Sequence, residues 1–220
     1  MEISSRRLII FTSRGLGAKG ENLIGIRQFM SFKDKIFWIF LFVCFITAIL
    51  FFQLFTTLPL YHSEHFGLTE FQSGLILSFN GILIFFLEMP IVSYCQRKDI
   101  SKLSIVLWGS VLMAISFYVL LFNAWAGILI VSLLFITFGE MFIFPFSNSF
   151  ALSRAPKGHE GRYMAFFTMS FSLAHIASSK MGLEIISHFN YQANWFVMGS
   201  LGVIAVLCCI WLQRLLKQTQ

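Results

Sequence analysis

The chain has 220 residues, of which 57% are hydrophobic and only 12% are charged. A soluble domain is about 45–50% apolar and about 25% charged, so a single soluble core cannot bury a chain of this composition. The composition therefore excludes an ordinary soluble enzyme or binding domain and predicts a membrane protein.

Six apolar segments are long enough to cross about 30 Å of hydrocarbon as helices, at about 1.5 Å per residue. They are too long and too continuous for the strands of a membrane barrel, so the predicted fold class is an all-α membrane protein. The predicted spans, one to six, cover residues 36–61, 72–96, 103–122, 125–151, 163–187 and 194–213. Residues 1–32 are predicted to be a basic cytoplasmic leader or linker, and residues 33–217 a six-helix transmembrane bundle.

Positive charge is strongly asymmetric along the chain. Fifteen of the 16 lysines and arginines lie before span one, after span six, or in the connections that follow spans two and four. The positive-inside rule makes that face cytoplasmic, so we expect a multi-pass protein of the cell (inner) membrane with both termini inside. The net charge of +6 then follows from topology and gives no reason to predict a nucleic-acid partner.

Motifs of soluble enzymes are missing from the sequence, which has no P-loop, GxGxxG, HExxH or GxSxG pattern. The four cysteines lie in or at the ends of different spans without metal-ligand spacing. We therefore expect no catalytic residues, no cofactor and no metal centre of cysteine or histidine.

Span one carries polar residues near a proline. Gln53 and Thr56 precede Pro59, which is predicted to kink the helix. These uncharged side chains are predicted to contact a substrate in a cavity.

Span two carries a stripe of small residues that ends in Glu88, with Pro90 as a predicted kink just beyond it. Ser78 belongs to this stripe and is predicted to line the substrate cavity. Small residues allow helices to approach closely. Glu88 is predicted either to take part in proton coupling or to form a structural ion pair with a loop residue such as Arg97.

Span four contains FITFGEMFIFPFSNSF, a stretch that is apolar apart from a few polar residues. Thr137, Glu140 and Asn148 recur at helical spacing and define one face. Pro145 cannot donate a hydrogen bond to the carbonyl of Met141, so it is predicted to kink the helix near the glutamate. An ionisable group in a span is costly and usually functional, so Glu140 is predicted to couple proton movement to transport, with Thr137 and Asn148 lining the cavity. The alternative is a neutral glutamate that only forms a hydrogen bond to a neighbouring helix.

Span five carries Ser172 and His175 on one face, predicted to be a cavity residue and a proton carrier respectively. A histidine that merely bridges two helices is the alternative. Lys180 and Glu184 lie on a different face at i, i+4 spacing and are predicted to form a structural ion pair.

Two segments, FFLEMPIVSYCQRK and FGEMFIFPFSNSFALSRAPKGHEGRYMAFF, resemble the major facilitator superfamily, in its drug:proton antiporter-like branch. The likeness covers residues 33–215 and falls on the carboxy-terminal six-helix half of that family. The matching positions are Glu88-Met89-Pro90, Gly139-Glu140, Pro145, Asn148 and Gly161-Arg162-Tyr163. The connection QRKDISK keeps positive charge but lacks the glycine usual in the family's gating motif.

The resemblance implies a twelve-helix fold, of which this chain has six helices arranged as two inverted three-helix repeats. It implies a small-molecule efflux function by antiport, a cytoplasmic gate at Arg97, Arg154 and Arg162, and a second six-helix half as partner. That half is expected to be a separate chain or a second copy in a homodimer, unless the chain is a truncated product. A non-transporting membrane scaffold and an intramembrane enzyme are the alternatives from other classes.

Overall fold

The computed structural model describes residues 34–122 and 125–219 and contains seven α-helices in those ranges, with no strand. In chain order they are α1 (Lys35–Phe52), α2 (Thr57–Phe66), α3 (Glu70–Arg97), α4 (Lys102–Leu120), α5 (Ile128–Arg154), α6 (Glu160–His188) and α7 (Tyr191–Thr219). The predicted leader, residues 1–32, lies outside the described residues. The all-α prediction is confirmed.

The chain divides into two units, Met1–Trp38 and Ile39–Gln220. The described part of the first unit is the start of α1, where the Asp34 carboxylate accepts a hydrogen bond of 3.1 Å from the Phe37 N–H. This is the usual way in which an aspartate caps the first turn of a helix. All the contacts discussed below lie within the second unit.

The helices overlap the six predicted spans with shifted ends, and α1 and α2 together cover the first. By length and apolar composition, five segments can cross a membrane: Lys35–Phe66, Glu70–Arg97, Lys102–Leu120, Ile128–Arg154 and Tyr191–Gln218. Helix α6 has 29 residues, which is also long enough for about 30 Å of hydrocarbon. It is less apolar than the other five segments because its sequence carries serines, threonines, a histidine and several charged residues. The chain is a multi-pass membrane protein.

The first span is interrupted at residues 53–56, one turn before Pro59. Pro59 itself lies in the first turn of α2 and has no N–H to offer the carbonyl of Phe55. The backbone hydrogen-bond pattern of the helix shifts at this point. The Gln53 carbonyl accepts hydrogen bonds from the N–H groups of both Thr57 (3.1 Å) and Leu58 (3.0 Å). The discontinuity is therefore displaced from the proline towards Gln53. Helices α3 and α5, by contrast, remain helical through Pro90 and Pro145.

Helix α4 packs closely against α5 and α7. Its contact with α5 depends on two glycines, because a Cβ on Gly109 would lie 2.6 Å from Ile143 Cγ1 and 2.8 Å from the Gly139 carbonyl oxygen. Small residues at such positions allow the backbones of membrane helices to approach each other. The sequence pair Gly139-Glu140 therefore combines a packing residue facing α4 with a neighbouring carboxylate.

Helix α3 is the least covered of the spans. Only 6% of its most apolar 18-residue window is buried, against 56% for α4 and for α5. Large side chains stand exposed along it, at Phe71, Phe85, Phe86 and Met89. A surface of this kind is available to lipid or to another protein.

The close approach of α4 and α5 can be tested with Gly109→Ala. The added Cβ meets a backbone oxygen, and overpacking of this kind costs about 1–3 kcal/mol. We expect a net loss of stability despite the gain of about 1 kcal/mol when alanine replaces a helical glycine. Gly81→Ala is the matched control, because no atom lies within 4 Å of its Cβ position, and it should not lower the midpoint of thermal unfolding. Equal midpoints for the two variants would contradict the packing described.

Candidate functional site

A buried polar cluster lies between α3 and α5 and is formed by Asn80, Thr137 and Glu140. Their side chains are 5%, 0% and 3% exposed, respectively. The Thr137 hydroxyl lies 2.7 Å from Asn80 Oδ1 and 2.6 Å from the Leu133 carbonyl oxygen, and donates to these two acceptors. Thr137 and Glu140 share one face of α5 because they are three residues apart. Helix α3 supplies the asparagine that faces them.

Glu140 is incompletely satisfied within this cluster. The Asn80 amide interacts with its carboxyl group, and Glu88 of α3 is close enough to act on it electrostatically. Its Oε1 atom nevertheless has no hydrogen-bond partner in the described part of the chain. Burying a carboxyl group without partners is costly, so such a group usually binds a proton, a cation or a charged neighbour.

Thr137 and Glu140 are buried on the same face of α5, whereas Asn148, which spacing predicts on that face as well, is exposed. The spacing of polar residues on span four gives no indication of Asn80. The available signal was an asparagine in the middle of an apolar span, two helical turns before Glu88. Glu88 itself is only half-buried. In the described residues it makes no ion pair with Arg97, which is exposed at the end of α3.

Three of the predicted cavity residues lie on exposed faces of the helices: Ser78 on α3, Asn148 on α5 and Ser172 on α6. The hydroxyl groups of the two serines donate back to their own helices, Ser78 to the Gly74 carbonyl and Ser172 to that of Thr168. His175 is also exposed, with its ring centroid 4.6 Å from that of Phe52. Polar groups on exposed faces of spans are expected to meet water or another protein rather than lipid.

Gln53 is placed differently from these residues, because it is fully buried at the interruption of the first span. Its amide nitrogen donates to the Ser178 carbonyl (3.0 Å) and hydroxyl (2.9 Å), and its amide oxygen accepts from the Thr57 hydroxyl. The Gln53 N–H donates to the Leu50 carbonyl and not to that of Ile49, four residues back. The Ile49 carbonyl accepts a hydrogen bond of 2.8 Å from the Ser178 hydroxyl. Gln53 thus ties α6 to the broken helix. Thr56 is half-buried and donates to the Phe52 carbonyl.

This tie predicts that Ser178→Ala destabilises the protein. Removal of the hydroxyl leaves the buried Ile49 carbonyl and part of the Gln53 amide unsatisfied, which costs about 1–3 kcal/mol. Ser179→Ala is the control, since its hydroxyl only donates to the His175 carbonyl of the same helix, and it should change stability by less than about 0.5 kcal/mol. Thermal unfolding of the two purified variants measures the difference. Unchanged stability of Ser178→Ala would contradict a structural role for this network.

The sequence model of the Major Facilitator Superfamily matches residues 12–179 of the chain. The chain belongs to the major facilitator superfamily. Membership in this transporter family agrees with the expectation that the chain is not an enzyme. The match does not assign a branch, so the drug:proton antiporter-like branch stays a prediction.

The chain is similar in sequence to two proteins, one from Planococcus maritimus and one from Bacillus subtilis. A "Na(+), Li(+), K(+)/H(+) antiporter" of Planococcus maritimus is 20% identical over 214 residues, which cover 90% of this chain and 50% of that protein. The "Uncharacterized MFS-type transporter YttB" of Bacillus subtilis (strain 168) is 27% identical over 139 residues, covering 63% of this chain and 34% of that protein. The chain spans about half the length of the first of these relatives and a smaller share of the second.

Two solved structures of POT family transporters have a similar fold. One, in complex with 5-aminolevulinic acid, aligns with a TM-score of 0.70 at 18% identity, over 79% of this chain and 39% of that one. The other, in complex with a thioalcohol-conjugated peptide, has a TM-score of 0.66 at 19% identity, over 78% of this chain and 40% of that one. These likenesses are consistent with a chain that forms half of a major facilitator fold.

Four further charged residues lie at helix ends or on an exposed face: Arg154, Arg162, Lys180 and Glu184. Arg154 ends α5 and Arg162 lies in the first turn of α6, and both are half-buried. Lys180 and Glu184 are both exposed, and no ion pair joins them within the described residues. An exposed pair gains little from pairing, which is the physical reason that the predicted i, i+4 contact need not form.

Proposed function

We propose that the chain is the carboxy-terminal six-helix half of a secondary transporter that couples movement of a small molecule to protons. One observation carries the proposal. Glu140 is buried in a cluster with Asn80 and Thr137, and its Oε1 atom has no partner in the described residues. A carboxyl group held in this way can be neutral when it binds a proton and charged when it releases one, as a coupling site requires.

A second six-helix half is the proposed partner. The chain spans about half the length of its antiporter relative, and α3 is almost uncovered. The exposed polar residues Ser78, Asn148 and Ser172 would line a cavity once another bundle covers these faces. We propose that the partner is a separate chain or a second copy of this one.

We propose different roles for the other predicted residues, according to where they lie relative to Glu140. Glu88 acts on Glu140 from the neighbouring helix, so we propose that it modulates coupling. His175 lies on an exposed face of α6, where it would meet the cavity and accept a proton from water or substrate. Gln53 and Thr56 would influence the cavity mainly through the break in the first span.

We propose an orientation with both termini cytoplasmic in the cell (inner) membrane, which places Arg97, Arg154 and Arg162 at a cytoplasmic gate. Single cysteines at His65 and Asn190 should then be labelled from outside by an impermeant reagent. Cysteines at Lys98, Lys157 and Gln218 should be labelled only after the membrane is opened. All five side chains are exposed, so labelling reports sidedness rather than burial. Labelling of Lys98→Cys in sealed cells would overturn this topology.

Monovalent metal cations are the first substrates to test, because the antiporter of Planococcus maritimus is named for Na+, Li+ and K+. The lipophilic cation ethidium represents the drug-type substrates that the predicted branch would export. Acid-loaded inverted vesicles that contain the chain with its second half should lose their pH gradient when a transported cation is added outside. An acridine dye reports that loss. No discharge by any cation, together with intact assembly of the helices, would favour the alternative of a membrane scaffold.

A further inference from the structure

We infer that Glu140, Asn80 and Thr137 form a binding site for a small monovalent metal cation, built entirely within this chain. The inference deepens the proposed function by assigning the ligand chemistry of the same buried polar cluster. It rests on that function only for its role in transport, because binding of the cation needs no second half.

The donor set of the cluster consists of oxygen atoms. The Glu140 carboxylate provides charged oxygens, the Asn80 amide provides Oδ1 and Thr137 provides Oγ1, whose hydroxyl donates to Oδ1 at 2.7 Å. Oxygen donors of this type suit alkali and alkaline-earth cations, whereas transition metals favour imidazole and thiolate. No group of three histidine, cysteine, aspartate or glutamate residues that could hold a metal ion occurs within residues 34–122 and 125–219.

The hydrogen-bond pattern leaves acceptor capacity in the cluster. The single hydroxyl hydrogen of Thr137 is used by Asn80 Oδ1 and the Leu133 carbonyl. Its oxygen therefore has only lone pairs left to offer. Glu140 Oε1 has no donor in the described residues, and its side chain is 3% exposed. A cation would satisfy the buried carboxylate oxygen that the protein itself leaves without a partner.

Charge favours a monovalent ion. Glu140 alone contributes formal charge inside the cluster, and a single positive charge neutralises it.

Binding of 22Na+ to the purified full chain in lipid nanodiscs tests the inference, with ionic strength held constant by choline chloride. We expect saturable binding of one Na+ per chain that unlabelled Li+ displaces and choline does not. Glu140→Gln keeps the shape of the side chain and removes its charge, so its affinity should fall at least about tenfold, since ligand charge sets cation affinity. Thr137→Val removes one oxygen at nearly constant volume and should also weaken binding.

Glu184→Gln is the matched control, because it removes the same charge from an exposed position on α6 and should bind Na+ like the wild type. Circular dichroism and thermal unfolding of each variant establish that it is folded, and Thr137→Val keeps the test decisive if Glu140→Gln does not fold.

The inference is overturned if the wild type shows no saturable binding, if both cluster variants bind Na+ undiminished, or if Glu184→Gln loses binding equally. Transport of ethidium without Na+ binding would overturn this site and leave the proposed transporter intact. Na+ binding without proton-coupled transport would support this site and overturn the proposed transporter function.

Discussion

Glu140→Gln is expected to abolish pH-dependent transport by the assembled protein while leaving its folding intact. The glutamine retains the size and hydrogen-bonding groups of the neutral acid, so the cluster with Asn80 and Thr137 can still form. It cannot release a proton, so the cycle has no charged state with which to couple substrate to the proton gradient. Discharge of the pH gradient in acid-loaded vesicles should fall to the level of vesicles without the protein.

The assay uses whichever cation discharges the gradient in the wild type, measured across a range of external pH. Glu184→Gln provides the control, since that carboxylate is exposed on α6 and lies outside the cluster. Glu88→Gln should shift the rate less than Glu140→Gln, because Glu88 is half-buried and acts only through space. Normal transport by Glu140→Gln with an unchanged pH profile would identify Glu140 as a neutral structural residue.

The second large effect concerns assembly, because the chain alone is expected not to transport. Helix α3 has only 6% of its most apolar window buried, and the polar residues Ser78, Asn148 and Ser172 lie on open faces. A cavity that opens to one side at a time requires a second bundle to cover these faces. Addition of a six-helix amino-terminal half should restore saturable transport from background.

Proteoliposomes that contain the purified chain, with and without a co-expressed amino-terminal half, measure this requirement. Cross-linking through a cysteine at Phe85, which is 78% exposed on α3, reports whether two copies meet. Transport by a cross-linked homodimer would support the symmetric form of the proposal. Robust saturable transport by a monomer would contradict the need for any second half.

Much of the fold could be predicted from the sequence because the bilayer leaves few choices. A span must be helical and about 20 residues long, so apolar runs and polar breaks locate the helices directly. The break in the first span could be predicted only roughly. Pro59 signals a lost hydrogen bond, but the position of the break depends on how Gln53 and Ser178 satisfy the freed backbone groups, which is tertiary information.

The candidate site was predictable on one helix and not across helices. Spacing alone places Thr137 and Glu140 on one face of α5. It cannot show that Asn80 faces them from α3, because helix-to-helix register depends on packing through residues such as Gly109 and Gly139. For the same reason, Gln53 and Ser78 looked alike as polar residues in spans, although one is fully buried in a structural network and the other is exposed.

Proton movement by the assembled protein shows directly whether Glu140 carries the coupled proton. A pH-sensitive dye trapped in proteoliposomes containing both halves would follow proton movement when a gradient of the transported cation is imposed. Labelled cation exchange would be measured in parallel without any gradient. The wild type is expected to move protons against the cation, whereas Glu140→Gln should move none and retain some exchange. Proton movement by Glu140→Gln at the rate of the wild type would contradict this role of Glu140.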